Sequence, residues 1–167
     1  MSFKKILIIN PFGIGDVLFT LPFIENIKLS LPDAHISFIA NQRTRVILTN
    51  SPHIGQIIIY DRDEFNSIYK KSKIAFLKKI VQFLSVIKKG NYDVVFDFSL
   101  NGSSSFFMWL LGIKHRIGFN YRNRSFLLTH SIPLLGFDDK HVVEYYLDIL
   151  EQINIRVNVR TFLPNIF

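Results

Sequence analysis

A doubly wound parallel α/β sheet is predicted by three features of the 167-residue chain. Short runs rich in Ile and Val alternate with stretches of helical periodicity, the pattern of right-handed strand–helix–strand crossovers. The first run, Ile6-Leu7-Ile8-Ile9, carries no polar alternation, so it reads as a strand buried on both faces. Apolar residues make up 49% and charged residues 20%, which supports one packed core and excludes wholesale disorder.

The elements follow in order. Lys5–Asn10 is the first strand and Pro11–Gly15 a loop. From Asp16, the positions Val17, Leu18, Leu21, Ile24, Ile27 and Leu31 recur at helical spacing until Pro32-Asp33 stops them. Pro22 falls inside that helix and is expected to kink it or delay its regular part. His35–Ala40 and Gln56–Tyr60 read as strands, with a short helix around Thr44–Asn50. Lys73–Lys89 is the clearest amphipathic helix, with Leu77, Ile80, Val81, Leu84 and Ile87 expected inward. Asp93–Phe98 is a fourth strand, then the polar loop Ser99–Ser105 and an apolar helix near Phe106–Leu111. His115–Gly118 and Thr129–Ile132 are short strands, and Lys140–Asn154 is the last helix. The tail Ile155–Phe167 shows no helical periodicity and reads as a linker.

Composition removes several function classes. There is no cysteine, which excludes a thiol nucleophile, a disulfide scaffold and a Cys-ligated metal site. Only four consecutive apolar residues precede Asn10-Pro11, so no signal peptide is expected, and no stretch has the length of a spanning helix. A cytoplasmic domain is expected. Its net charge of +7 is concentrated: Arg62–Asn91 holds eight basic residues against two acidic ones. Lys114–Arg124 holds four with no acid, and Pro133–Glu151 carries five acids against Lys140. Such a block is ordinarily a solvated helix face; functionally it attracts anions. No helix-turn-helix, zinc-finger or RNA-binding strand pattern accompanies it, so nucleic acid is not an expected partner.

In this fold ligands bind beyond the carboxyl ends of the strands. The first such loop reads Asn10-Pro11-Phe12-Gly13-Ile14-Gly15-Asp16. Gly13 and Gly15 allow a tight turn and close approach by a ligand. A dinucleotide fingerprint would need glycine where Leu18 stands and an acid where Asn41-Gln42 follow the second strand. A phosphate-binding P-loop is missing as well. Asp16 stands at a helix N-terminus, where it acts as a capping residue, as a general base, or as both.

The ordered set of segments carries a resemblance. Ile8–Pro22, Tyr92–Asp97, the loop Asn101–Ser105, Gly112–Phe119 and Lys140–Glu144 together resemble glycosyltransferase family 9, the heptosyltransferases of lipopolysaccharide core assembly. The resemblance implies the amino-terminal half of a GT-B glycosyltransferase, one Rossmann-like acceptor-binding domain over residues 1–154. Residues 155–167 would then begin the interdomain linker, and the carboxy-terminal donor domain is absent from the chain. It implies an inverting, metal-independent transfer with Asp16 as base and no cofactor. The co-substrate is a nucleotide-sugar, usually ADP-heptose. The implied partners are an anionic glycolipid acceptor, peripheral contact with the inner membrane surface, and a donor domain.

The same resemblance places His141 near the substrate, with Glu144 orienting it. Asn101 and Ser104 become candidate sugar-binding groups, and Gly13 and Gly15 line the approach. Arg116 and Arg122 become candidates to grip an acceptor carboxylate or phosphate. Taken alone, His141 and Glu144 read as a helix-start pair, and either arginine as structural or solvated. Asn101-Gly102-Ser103 and Asn123-Arg124-Ser125 match the glycosylation pattern but lack a secretory context. A competing reading is a non-catalytic module that binds anionic glycan or membrane through the basic helix. A third, a flavodoxin-like regulator, would need more acids at the strand ends than Asp16 alone.

Overall fold

The computed structural model describes residues 3–122 and 126–160. Six parallel strands form one sheet in the order β3-β2-β1-β4-β5-β6. They are β1 (Lys5–Ile9), β2 (His35–Ala40), β3 (Ile54–Ile59), β4 (Val94–Asp97), β5 (His115–Tyr121) and β6 (His130–Leu134). The chain first adds strands on one side of β1 and then on the other, so the order reverses between β1 and β4. Loops leaving those two strands diverge, and the crevice they leave is where such sheets bind ligands.

Both faces of the sheet are covered, as the apolar first strand requires. Ile6 and Ile8 point into one cluster with Phe23, Phe38, Phe96, Phe98 and Tyr146. Leu7 and Ile9 point into the other with Ile58, Val95, Ile87 and Met108. The first cluster is closed by α1 (Ile14–Phe19), α2 (Leu21–Ser30), α3 (Arg45–Thr49) and α7 (Val142–Gln152). The second is closed by α5 (Lys73–Gly90) and α6 (Gly102–Leu110). Pro133 sits in β6, an edge strand, where its missing N–H costs no ladder bond.

Apart from shifts of two or three residues at the ends of β3, β5 and β6, the structure departs from the sequence expectation at four places. The long first helix is two: it breaks at Thr20, and Pro22 lies in the first turn of α2, where an absent N–H is harmless. The polar loop after β4 is shorter than expected, because Asn101 caps α6 through its side chain and Ser103–Ser105 occupy the first turn. The basic stretch after β3, to which the sequence reading assigns no element of its own, is a helix, α4 (Arg62–Lys71), capped by Asp61, which accepts from the N–H groups of Asp63 and Glu64. Leu77 and Val81 face outward. The amino-terminal half of α5 runs past the sheet and packs on α4, through the Phe65–Phe76 and Tyr69–Phe76 ring contacts and the Lys79–Glu64 ion pair.

Beyond α7, residues 155–160 return along the first face. Ile155 is buried in the core cluster. Asn26, wholly buried in α2, accepts from the N–H groups of Asn158 (2.6 Å) and Val159 (2.9 Å) and donates to the carbonyls of Val159 and Pro22. That uses both of its amide protons and both lone pairs of its oxygen. Arg160 pairs with Glu144 and Glu151 of α7. Asn26→Ala is expected to cost about 1–3 kcal/mol, since two N–H groups lose their acceptor. Hydrogen exchange at Asn158 and Val159 would then accelerate, and unchanged exchange would mean that Asn26 does not hold the segment.

Candidate functional site

Asn10, the residue after β1, is fully buried and organises the first loop. Its Oδ1 accepts from the Phe12 N–H at 3.3 Å, and its Nδ2 donates to the Asp16 carbonyl at 3.1 Å. From the end of β2, Asn41 donates to the carbonyls of Pro11 and Phe12. The loop is thus held from both sides before any ligand arrives. Asp16 is the third residue of α1, and its Oδ2 accepts from the N–H of Gly13, the residue that caps the helix, at 3.3 Å. The capping role and the accessible carboxylate coexist in one half-buried side chain.

Neither glycine of the loop is imposed by the fold. Gly13 has φ −74° in extended backbone, a conformation open to any residue. A Cβ on Gly15 would meet nothing within 4 Å, and one on Gly13 only the Asp16 carboxylate at 3.7 Å. What glycine supplies here is an unobstructed path to Asp16 rather than a tight turn.

The loop after β4 supplies the other wall. Asp97, the last residue of β4, is buried. Its Oδ1 accepts from the Ser99 N–H at 2.9 Å, and Oδ2 is bonded to the Ser104 hydroxyl. Ser104 Oγ also lies 2.7 Å from Ser99 Oγ and 2.7 Å from the Asn101 carbonyl. Burial raises the Asp97 carboxyl above its ordinary 3.8, and the hydrogen bonds from Ser104 and Ser99 offset that only in part. Gly118, directly across in β5, is a required glycine. A Cβ there would lie 2.3 Å from the Asp97 carbonyl oxygen.

A raised folded-state value has a definite pH signature. The unfolded carboxyl releases its proton at a lower pH than the folded one, so rising pH favours the unfolded chain across that interval. Asp97→Asn mimics the protonated group. The stability of the wild type relative to this variant is expected to decline as pH rises from about 4, in denaturant titrations at several pH values. A difference that stays flat with pH would refute the shift.

The third wall comes from α7. His141 caps that helix, its Nδ1 accepting from the Val143 N–H at 3.3 Å. A neutral ring therefore carries its proton on Nε2. The ring meets Phe19 of α1 edge-on, with centroids 4.9 Å apart, which brings α7 to the helix bearing Asp16. Tyr146, one turn further on, is buried against Phe98, and its hydroxyl interacts with Asn10. Burial, reinforced by the charge of Asp16, raises the Tyr146 hydroxyl well above its ordinary range, so it stays protonated.

Asp16, Gly13, Gly15, Asn101, Ser104 and His141 therefore lie on elements that meet at the carboxyl edge around the β1–β4 switch. Arg122 closes β5 at the same edge, its guanidinium over the Tyr121 ring at 4.9 Å. Arg116 does not join them. It is the second residue of β5, towards the amino edge, and its guanidinium donates to the carbonyls of Ile113, Lys114 and Leu127. Glu144 does not orient His141 either: its carboxylate is bonded to Arg160 at 2.5 Å. Arg124 and Asn123-Arg124-Ser125 lie outside the described residues.

Asn10, Asn41, Asp97 and Tyr146 are the site residues that sequence reasoning did not single out. Asp97 had a signal, as the acid ending the apolar run Val94-Val95-Phe96. Among the described residues no group of three or more His and carboxylate side chains is placed to hold a metal ion.

This arrangement has a counterpart. The profile of glycosyltransferase family 9 (heptosyltransferase) matches residues 80–163, half of the chain. The chain belongs to glycosyltransferase family 9. Lipopolysaccharide heptosyltransferase 3 of Escherichia coli is 28% identical over 151 residues, covering 84% of this chain and 40% of the relative. Among solved structures, family 9 glycosyl transferase of Veillonella parvula superposes with a TM-score of 0.72 at 23% identity, over 93% of this chain and 43% of that one. Escherichia coli heptosyltransferase WaaC, solved with ADP-2-deoxy-2-fluoro heptose, gives 0.77 at 16% identity, over 92% and 50%. At these identities the structures establish the shared fold. The chain spans about 40% of the length of the curated family 9 relative it matches.

Proposed function

We propose that this family 9 chain is the acceptor half of an inverting, metal-independent glycosyltransferase that moves heptose or a related sugar from a nucleotide-sugar, ADP-heptose in the favoured case, to an anionic lipopolysaccharide-type glycolipid. The observation that carries the reading is the Asp16 carboxylate. It is anchored on the Gly13 N–H at the mouth of a pre-organised loop that leaves the approach to it clear.

In this reading Asp16 takes the proton of an acceptor hydroxyl as that oxygen attacks the anomeric carbon. The new carbon–oxygen bond forms on the face opposite the leaving group, and the bond to the diphosphate breaks with its electron pair departing on ADP. The proton ends on Asp16. His141 presents Nε2–H to the acceptor, while Asn101 and Ser104 flank it from the α6 side. Arg122 holds an acceptor phosphate or carboxylate at the outer edge. Arg116 has no part, because its donors are committed to backbone carbonyls. The donor-binding half is a separate contribution. An acceptor of this kind is lipid-anchored, so the chain works at the inner membrane surface.

The test is reconstitution. The chain is mixed with the carboxy-terminal half of a family 9 relative, ADP-heptose and a lipopolysaccharide inner-core acceptor. Product is expected only when both halves are present. A well-folded mixture that binds donor and acceptor but forms no product under any acceptor tried would contradict the assignment.

A further inference from the structure

Helix α5 carries one broad apolar face, and among the described residues only part of it is covered. Phe83, Leu84 and Ile87 pack into the second core cluster. Ile74, Leu77 and Val81 fall within about 60° of arc directly alongside that face, at 100° per residue. They are 71%, 62% and 59% exposed. Three large aliphatic side chains left in water on one helix face are an interaction surface rather than scattered exposure.

The charge around the strip states what it meets. Lys78 and Lys89 border it on one side, Lys88 continues its line towards the carboxyl end of α5, and Lys70, Lys71 and Lys73 stand at the hairpin tip, all of them exposed. The acids of α4, Asp63 and Glu64, lie in its first turn, away from the tip, and Glu64 is paired with Lys79. An apolar strip rimmed by lysines complements an anionic bilayer, where aliphatic groups enter the acyl boundary and ammonium groups meet headgroup phosphates. The placement also suits the site. The tip stands beyond the carboxyl end of β3, on the same edge of the sheet as Asp16.

We propose that the outer face of the α4–α5 hairpin, centred on Ile74, Leu77 and Val81, inserts into the interfacial region of an anionic phospholipid bilayer and sets the Asp16 edge over the membrane. The proposal deepens the glycolipid reading by naming the surface that meets the lipid. Its test contains no glycan and no transfer step, so failure of one leaves the other standing.

The chain is sedimented with vesicles of mixed phosphatidylglycerol and phosphatidylcholine, and with vesicles of phosphatidylcholine alone. Binding is expected to the anionic vesicles and to be at least about tenfold weaker to the neutral ones. Replacing Ile74, Leu77 and Val81 together by Asn is expected to weaken partitioning by about tenfold or more while the circular dichroism stays unchanged. As a second readout, Leu77→Trp in a Trp109→Phe background is expected to shift its emission to the blue on anionic vesicles and to be quenched by brominated lipid. The proposal is overturned by a triple variant that binds as wild type, by equal binding to neutral vesicles, or by a Trp at position 77 that stays in water. It is equally overturned if sedimentation velocity shows the strip joining two copies of the chain and no vesicle binding occurs.

Discussion

Asp16→Asn is expected to lower sugar transfer in the reconstituted system by about 10²–10⁴-fold, the usual contribution of a positioned general base. Asparagine is the informative replacement. Its side-chain oxygen still accepts from the Gly13 N–H, so the cap of α1 and the loop geometry survive. What disappears is the ability to take a proton. Acceptor affinity and thermal stability should therefore remain near wild type while kcat falls, the pattern of a lost transition-state interaction. Asp16→Ala would add the loss of the cap, about 0.5–2 kcal/mol, and would mix the two effects. Transfer by Asp16→Asn within threefold of wild type would remove this residue as the base.

The largest expected effect on stability comes from Phe23→Ala. Phe23 is fully buried in α2 and meets Phe96 and Phe98 edge-to-face, with centroids at 4.9 and 5.1 Å. It ties the helix that follows the site loop to the last residues of β4, which lead into the other wall of the site. Removing the ring leaves a cavity in the core at a cost of about 3–5 kcal/mol. For a domain of this size that corresponds to a melting temperature roughly 6–20 °C lower. A calorimetric shift of only a degree or two would mean that this junction does not hold the two walls together.

Strand positions were legible in the residues because a strand buried on both faces leaves a continuous apolar run. β2 is His35–Ala40 in both the reading and the structure, and β1 and β4 agree to within one residue at each end. Helix α4 was not legible. Only Phe65, Ile68 and Tyr69 break its polar sequence, and it is held by the Asp61 cap and by rings of α5 that no local pattern announces. In α5 the inward face was ambiguous for a different reason. Apolar residues occupy one arc of about half the helix circumference, and periodicity alone cannot say which part of it the sheet covers.

The site was partly legible. The Gly-x-Gly-Asp loop announced itself through glycines next to an acid at a helix start, and His141 through the family resemblance of the Lys140–Glu144 segment. Arg116 was misleading, although its position at the beginning of a strand, away from the carboxyl edge, was itself the warning. Tyr146 reads as an ordinary inward residue of α7, and only the fold brings its hydroxyl to Asn10 and towards Asp16. The Asp97–Ser99–Ser104 cluster depends on the loop after β4 folding back on itself, which spacing does not encode.

The claim that this chain binds acceptor at the carboxyl edge is tested most directly by NMR, titrating the isotope-labelled chain with a soluble lipopolysaccharide inner-core oligosaccharide. Amide shifts are expected to concentrate on Asn10–Asp16, Phe98–Ser104 and His141–Glu144. Arg116 and the amino ends of the strands should stay still. Saturable shifts confined to the amino edge, or no saturable shifts while the spectrum remains that of a folded protein, would contradict the account.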